Sequence, residues 1–373
     1  TASVPDTPQG VEKGAAATGE SGRCVQQQDW RGDGASLIFL HSRPSPLTTH
    51  FARDRILALG DYNMLDLAIV IVSYNVRDLL QRCLASVYSG EGEFTFKVCV
   101  VDNASQDSSA EMVRREFPQA RLIANPENLG YSGANNVGLR SFGAWVPEDK
   151  GLESPTINSV RAPARYALLL NPDTELPPSA LAGMLTFMDA HPDAGAAGPK
   201  LILPDGQLDL ACRRSFPTPE VIFYRVTQLS KLFPRSRRFG RYNLTYLDPD
   251  VGTIVDSVVG AFMVVRAEAI AQVGLLDERF FMYAEDLDWA KRIKEAGWKI
   301  YYNPAVTVRH VKRASSQQNR SRVRFEFERA NLLFYRKHYQ ASTPRWLNGL
   351  ILAALAVRGG RRLWPEILGR SYQ

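Results

Sequence analysis

Leu67-Ala68-Ile69-Val70-Ile71-Val72-Ser73 is an unbroken apolar run closed by a serine. A short run without alternation predicts a strand covered on both faces, the situation of a strand inside a parallel sheet. Immediately downstream, residues 77–88 place Leu79, Leu80, Cys83, Leu84 and Val87 on one side of a helix, and 96–101 form a second apolar run that ends at Asp102. The alternation continues with helix 106–117, strand 121–124, helix 131–142, strand 166–170 and helix 178–190. We therefore expect an α/β fold with a doubly wound, mostly parallel sheet flanked by helices, whose ligands gather at the carboxyl ends of the strands.

Further out the signals weaken. Residues 143–163 lack any period and read as an inserted surface loop. Residues 213–250 are irregular, basic and aromatic and are assigned to the acceptor side, with Arg213 as their candidate. A strand containing a glycine is expected over 253–266, a helix over 285–296, and two short strands at 299–302 and 306–309. Residues 1–63, rich in small and polar residues, precede Met64 and are expected to be a disordered or non-native leader. The 373 residues, 45% hydrophobic and 23% charged, exclude collagen-like, coiled-coil and wholly disordered chains. The four cysteines show no metal-ligand spacing and read as reduced thiols. With neither a signal sequence nor a membrane-spanning run in view, a cytoplasmic protein is expected.

Four polar clusters fall where such a sheet presents its ligands: Ser73-Tyr74-Asn75, Asp102-Asn103, Asn171-Pro172-Asp173, and Glu285-Asp286-Leu287-Asp288 before a helix. A single aspartate after a strand is as readily a helix cap; four clusters together point to a site. Asp102 suits the neutral donors of a base or ribose. Asp173 implies a hard cation, magnesium or manganese, if a phosphate binds beside it. In the last cluster one carboxyl can have a raised pKa and act as general base. The small and amide residues of 125–138, among them Asn128, Gly130 and Asn135, open a helix and offer backbone N–H groups to a diphosphate. Their spacing is neither a dinucleotide fingerprint nor a Walker loop.

These motifs, taken in order with Gly260-Ala261-Phe262-Met263 and the stretch 280–289, resemble glycosyltransferase family 2, and most closely its rhamnosyltransferase-like branch, over about residues 66–340. The resemblance implies a GT-A fold and inverting transfer of one sugar from a dTDP-, UDP- or GDP-linked donor, dTDP-rhamnose being the first candidate, with Mg2+ or Mn2+. It further implies Ser73, Tyr74, Asn75, Asp102, Asn103, Asn128, Gly130, Asn135, Asn171 and Asp173 as donor contacts. Asp173 and His310 would hold the metal, Asp286 would be the catalytic base, and Glu285, Asp288, Gly260 and Arg213 would lie on the acceptor side. On this basis 64–200 is the nucleotide-sugar half and 201–340 the acceptor half of one domain. Two departures stand out. Asn-Pro-Asp holds one carboxylate of an Asp-x-Asp pair, and Gln317-Gln318-Asn319-Arg320-Ser321 lacks the tryptophan of the processive Gln-x-x-Arg-Trp motif.

The formal charge of +6 is concentrated between Arg309 and Arg345, where only Glu326 and Glu328 are acidic. Residues 341–373, apolar between arginines and tryptophans, are expected to form a basic amphipathic segment on an anionic membrane surface, which makes the protein peripheral on the inner face of the membrane. A packed C-terminal helix is the alternative there. A polyprenyl-diphosphate-linked saccharide is the preferred acceptor. No nucleic-acid-binding motif is present, so no nucleic acid is expected. The rival reading of the whole chain is a catalytically inactive nucleotide-sugar or carbohydrate-binding module.

Overall fold

The computed structural model describes residues 64–147, 160–311 and 320–369. The leader at 1–63 with Cys24, most of the loop at 143–163, and Gln317-Gln318-Asn319 lie outside the described residues. The first half runs β1 (Leu65–Ser73), α1 (Arg77–Tyr88), β2 (Phe96–Asp102), α2 (Ser109–Glu116), β3 (Arg121–Ala124) and α3 (Gly130–Phe142). A short antiparallel ribbon, β4 (Val146–Pro147) with β5 (Val160–Arg161), closes the base of the loop. Then come β6 (Ala164–Leu170), β7 (Thr174–Glu175), α4 (Ala180–Ala190) and β8 (Ala194–Ile202). The second half contains α5 (Pro219–Val226), α6 (Leu229–Leu232), β9 (Thr253–Val255), β10 (Phe262–Arg266), α7 (Ala267–Val273), α8 (Glu285–Glu295) and β11 (Lys299–His310). It ends in α9 (Arg320–His338), α10 (Arg345–Gly359) and α11 (Trp364–Ile367).

The central sheet has the order β3-β2-β1-β6-β10-β8-β11-β7, with β9 added on β11. β3, β2, β1 and β6 are parallel neighbours, and β10 lies antiparallel between β6 and β8. Because β11 is parallel to β8, it runs in the same direction as β1. The carboxyl ends of β1, β2, β6 and β11 and the amino end of β10 therefore meet at one edge of the sheet. Ser73, Asp102, Asn171, Gly260 and His310 are distant in sequence and adjacent there.

The unbroken apolar run of β1 is buried as its composition requires, with Leu67 through Ile71 at 1% exposure or less. α3 lies against it so closely that a Cβ on Gly138 would stand 2.4 Å from Val70 Cγ1. Cys83, Cys99 and Cys212 are buried free thiols.

Several expectations need correction. Residues 253–266 form two strands, β9 and β10, because the chain turns between Asp256 and Ala261 and the two pair with different partners. The pair expected at 299–302 and 306–309 is one strand, β11, interrupted by a register shift between Asn303 and Thr307 around Pro304, which cannot donate to the ladder. The stretch 213–250 contains α5, whose start carries a visible signal: Thr218 Oγ1 accepts from the Val221 N–H, with Pro219 at the first helical position. β8, absent from the expectation, is Ala- and Gly-rich and earns its place through close packing rather than propensity.

Candidate active site

The loops at the shared edge are held by amide side chains. Asn103 donates from Nδ2 to Asn128 Oδ1 (2.8 Å) and to the Gly130 carbonyl (3.1 Å), and its Oδ1 accepts from the Leu129 N–H (3.0 Å). Asn128 Oδ1 also accepts from the Gly130 N–H. These two amides thus shape the loop before α3. Gly130, at φ +74°, leaves no room for a side chain, since a Cβ would stand 2.4 Å from the Phe281 carbonyl oxygen. Asn75 Oδ1 accepts from the Gln106 N–H, joining the loop after β1 to the loop after β2. Asp102 Oδ2 accepts from the Ser105 N–H, while its buried Oδ1, like Ser73 Oγ, has no hydrogen-bond partner among the described residues. Asn135 donates within α3 to the Tyr131 carbonyl and faces the interior.

A cavity of about 1660 Å3 opens at this edge, lined by Tyr74, Asn103, Asn128, Gly130, Asn171 and Asp173 on one side and by Gly260, Glu285, Asp286 and His310 on another. Asp173 Oδ1 is buried, 3.3 Å from His310 Nε2, without hydrogen-bonding geometry. His310 Nδ1 meets Asp209 Oδ2 at 2.9 Å, and Asp209 Oδ1 is anchored by the Ala211 N–H. Burial opposes a charge on His310, but Asp173 and Asp209 outweigh it and raise its pKa to about 9. A carboxylate behind a histidine is the support a metal-binding imidazole uses. Among the described residues no three His, Cys, Asp or Glu side chains form a ready metal cage. An orphaned carboxylate oxygen beside an oriented imidazole nitrogen nonetheless fits a cation that takes its remaining ligands from diphosphate and water.

Asp286 and Glu285 open α8. The two residues before them, Tyr283 (φ 73°) and Ala284 (φ 60°), both adopt the left-handed conformation, a backbone cost of about 1–2 kcal/mol each. Such strain is characteristic of functional sites. Asp286 Oδ2 accepts from Arg214 (2.7 Å) and from the Gly260 N–H (3.0 Å), and its Oδ1 from the Leu287 N–H (2.7 Å). Glu285 is also buried, but its Oε2 has no partner among the described residues. Burial, then the neighbouring Asp286, pushes its carboxyl up to about 8.

Two expected acceptor-side residues do not line the cavity. The Arg213 guanidinium is buried against the Leu247 and Asp248 carbonyls and over the Tyr302 ring. Its neighbour Arg214 takes the place at the site, because successive residues of an extended chain face opposite ways. Asp288 is fully buried among Arg292, Lys337 and His338. Burial opposes its charge, yet these partners, His338 foremost, hold its carboxyl below the ordinary range. It fastens α9 to α8. Sequence reasoning missed Arg214, Asp209 and Tyr131, whose hydroxyl donates to the Gly260 carbonyl at 2.7 Å.

The model of the family described as "Glycosyltransferase like family 2" matches residues 65–325. The chain belongs to glycosyltransferase family 2. Its relatives place it in the rhamnosyltransferase-like branch of the family. Over 251 residues it is 32% identical to the N-acetylglucosaminyl-diphospho-decaprenol L-rhamnosyltransferase of Mycobacterium tuberculosis, covering 67% of this chain and 77% of the relative. It is 27% identical over 277 residues to the low-salt glycan biosynthesis hexosyltransferase Agl10 of Haloferax volcanii, covering 74% and 75%. Among solved structures, GalNAc-T7 with UDP, GalNAc and Mn2+ shares 14% identity at a TM-score of 0.48, over 82% of this glycosyltransferase and 57% of that chain.

Proposed function

We propose that this glycosyltransferase moves one sugar from a nucleoside diphosphate donor to a lipid-linked saccharide, with inversion at the anomeric carbon and with Mg2+ or Mn2+. The donor is dTDP-rhamnose first, with UDP- and GDP-linked sugars the other candidates, and the enzyme works as a peripheral protein on the cytoplasmic face of the membrane. The observation that carries this reading is the meeting of Asp173, His310, Glu285 and Asp286 in one cavity beside the strand ends that carry Asp102. The Mycobacterium relatives, named for L-rhamnose and a diphospho-decaprenol acceptor, support the choice of sugar and acceptor.

Asp286 accepts the proton of the acceptor hydroxyl, whose oxygen then bonds to the anomeric carbon on the face opposite the diphosphate. The anomeric C–O bond breaks and its electron pair leaves with the diphosphate. Arg214 and the Gly260 N–H keep the Asp286 carboxylate in place while it takes the proton. Glu285, protonated at neutral pH, offers a hydrogen bond to the acceptor beside the reacting oxygen. Asp102 and Ser73 present their unpartnered oxygens to base and ribose. Asp173 and His310 would hold the cation, which supplies positive charge beside the leaving diphosphate.

Calorimetric titration with UDP, GDP, dTDP and their sugar conjugates, with and without Mn2+, tests the reading on wild type and Asp173→Ala. Metal-dependent binding of one nucleotide sugar, lost in the variant, is expected. Folded protein that binds none of them overturns the donor site, and binding without any transfer to a saccharide-diphosphate lipid makes the chain a binding module.

A further inference from the structure

The cavity that holds Asp286 also has an apolar arm. Its walls are α5, α9 and α10. On α10 the lining residues are Leu347, Leu350, Ile351, Ala354, Leu355 and Arg358, a spacing of three and four that turns one face of the helix toward the cavity. The other described residues cover that face only in part. No residue of α10 is fully buried, and Leu350 is 61% exposed. Opposite it, Phe223 on α5, also lining the cavity, is 57% exposed.

Glu326, Glu328, Asn331 and Arg358 also line the arm, but its apolar stretch does not suit the groups the polar end serves. A nucleotide or a sugar needs hydrogen-bond partners, and the side chains of Leu347, Ile351, Leu355, Ile222 and Phe223 offer none. The strand ends with Asp102 and Asp173 belong to the donor, so an occupant of the arm enters with the acceptor. The arm also carries a cation suited to a phosphate: Arg225 lines it, stacked over the Tyr242 ring at 4.0 Å, without an ion pair among the described residues. An apolar chain joined to an anionic head matches both features.

We infer that the arm between α5, α9 and α10 seats the prenyl chain of a diphosphate-linked acceptor, with Arg225 as a contact to the diphosphate. The inference rests on the reading that the acceptor is lipid-linked. It adds that the chain is gripped by the protein next to the catalytic carboxylates and does not simply remain in the bilayer. A prenyl chain in the arm fixes the acceptor sugar's approach to Asp286, so chain length enters recognition directly.

The test measures binding of geranyl diphosphate, geranylgeranyl diphosphate and geranylgeraniol to the full chain, with dioleoylphosphatidic acid as the phospholipid control. Geranylgeranyl diphosphate should bind at least about tenfold tighter than geranyl diphosphate, from the additional apolar surface buried. The Phe223→Ser/Leu350→Ser double variant, altered at exposed positions, should erase that ratio. Arg225→Ala should weaken both diphosphates while leaving geranylgeraniol unchanged. Equal affinity for the two chain lengths, an intact ratio in the double variant, or phosphatidic acid binding as tightly as geranylgeranyl diphosphate overturns the inference. A separate assay isolates the premise: transfer to a saccharide-diphosphate without a prenyl chain, at the efficiency seen with the lipid, removes the lipid-linked acceptor itself.

Discussion

Asp286 accepts three hydrogen bonds, from Arg214, Gly260 and Leu287, whereas Glu285 Oε2 beside it accepts none among the described residues. Two adjacent carboxyls thus differ in their partners, and the roles proposed for them follow that difference. Asp286→Asn should lower kcat at least about 100-fold while donor affinity is kept, the scale of lost general-base catalysis. Glu285→Gln should cost less than about tenfold at pH 7, because an amide replaces a carboxyl that is already neutral there. As pH rises through about 8, Glu285 loses its proton, so wild-type turnover should carry a falling limb that the Gln variant lacks. Stability follows the same sign. The Glu285 carboxyl is raised above its ordinary 4.5, so its contribution is full below that value and is lost as pH rises through about 8. Rate profiles in which Glu285→Gln is inactive and Asp286→Asn nearly normal would exchange the two roles. At this scale the sequence showed the carboxylates but not their partners. Arg213 and Arg214 are equivalent as text; the folded chain sends one guanidinium to the Asp248 and Leu247 carbonyls and the other to Asp286.

At the scale of elements, the parallel half was legible because β1 is written in Leu, Ile and Val and β2 in Val and Cys, and the centres of both are buried. Beyond them the signals were partial: the helix at 285–296 and the strand residues of 253–266 and 299–309 were legible, but β8, Ala- and Gly-rich, was not, nor was the turn that divides β9 from β10. The contacts that join elements yield two predictions. Asp288, with no exposed surface, ties α8 to Lys337 and His338 of α9, and Asp288→Ala should destabilise the protein by about 3 kcal/mol, the cost of breaking a buried ion pair. Denaturant unfolding checks this, and an unchanged midpoint would detach α9 from that anchor. Asp209, which follows the turn after β8, orients His310 at the end of β11. Asp209→Asn should therefore weaken Mn2+ binding in the presence of the donor diphosphate by about 10- to 100-fold, the usual cost of losing such a support. Titration with Mn2+ reads this directly, and equal affinity in the variant would remove Asp209 from the metal site.

For the molecule as a whole, the question is how a chain in which no described helix is long and apolar enough to cross a membrane would meet the lipid-linked acceptor proposed for it. α10 and α11 are tied to α9 by Arg358 with Glu328 and by Arg329 with Glu366, and Leu363 between them is fully buried. The C-terminal helices are therefore part of the fold, which the residue pattern alone left open between packed helix and membrane segment. They nevertheless keep Trp346 at 70%, Val357 at 82% and Leu368 at 69% exposure, among Arg345, Arg361 and Arg362. A surface of tryptophan, aliphatic side chains and arginines is suited to the interface of an anionic bilayer, where apolar insertion and charge attraction add. Sedimentation with vesicles should accordingly show stronger binding to phosphatidylglycerol-containing bilayers than to pure phosphatidylcholine, weakening as salt is raised. Trp346→Ser with Val357→Ser should lower the partition at least about tenfold at fixed salt, without loss of thermal stability, because both side chains are largely exposed. Equal partition of variant and wild type would move the membrane contact to another face, and binding insensitive to both salt and headgroup would leave the arginines without a part in it.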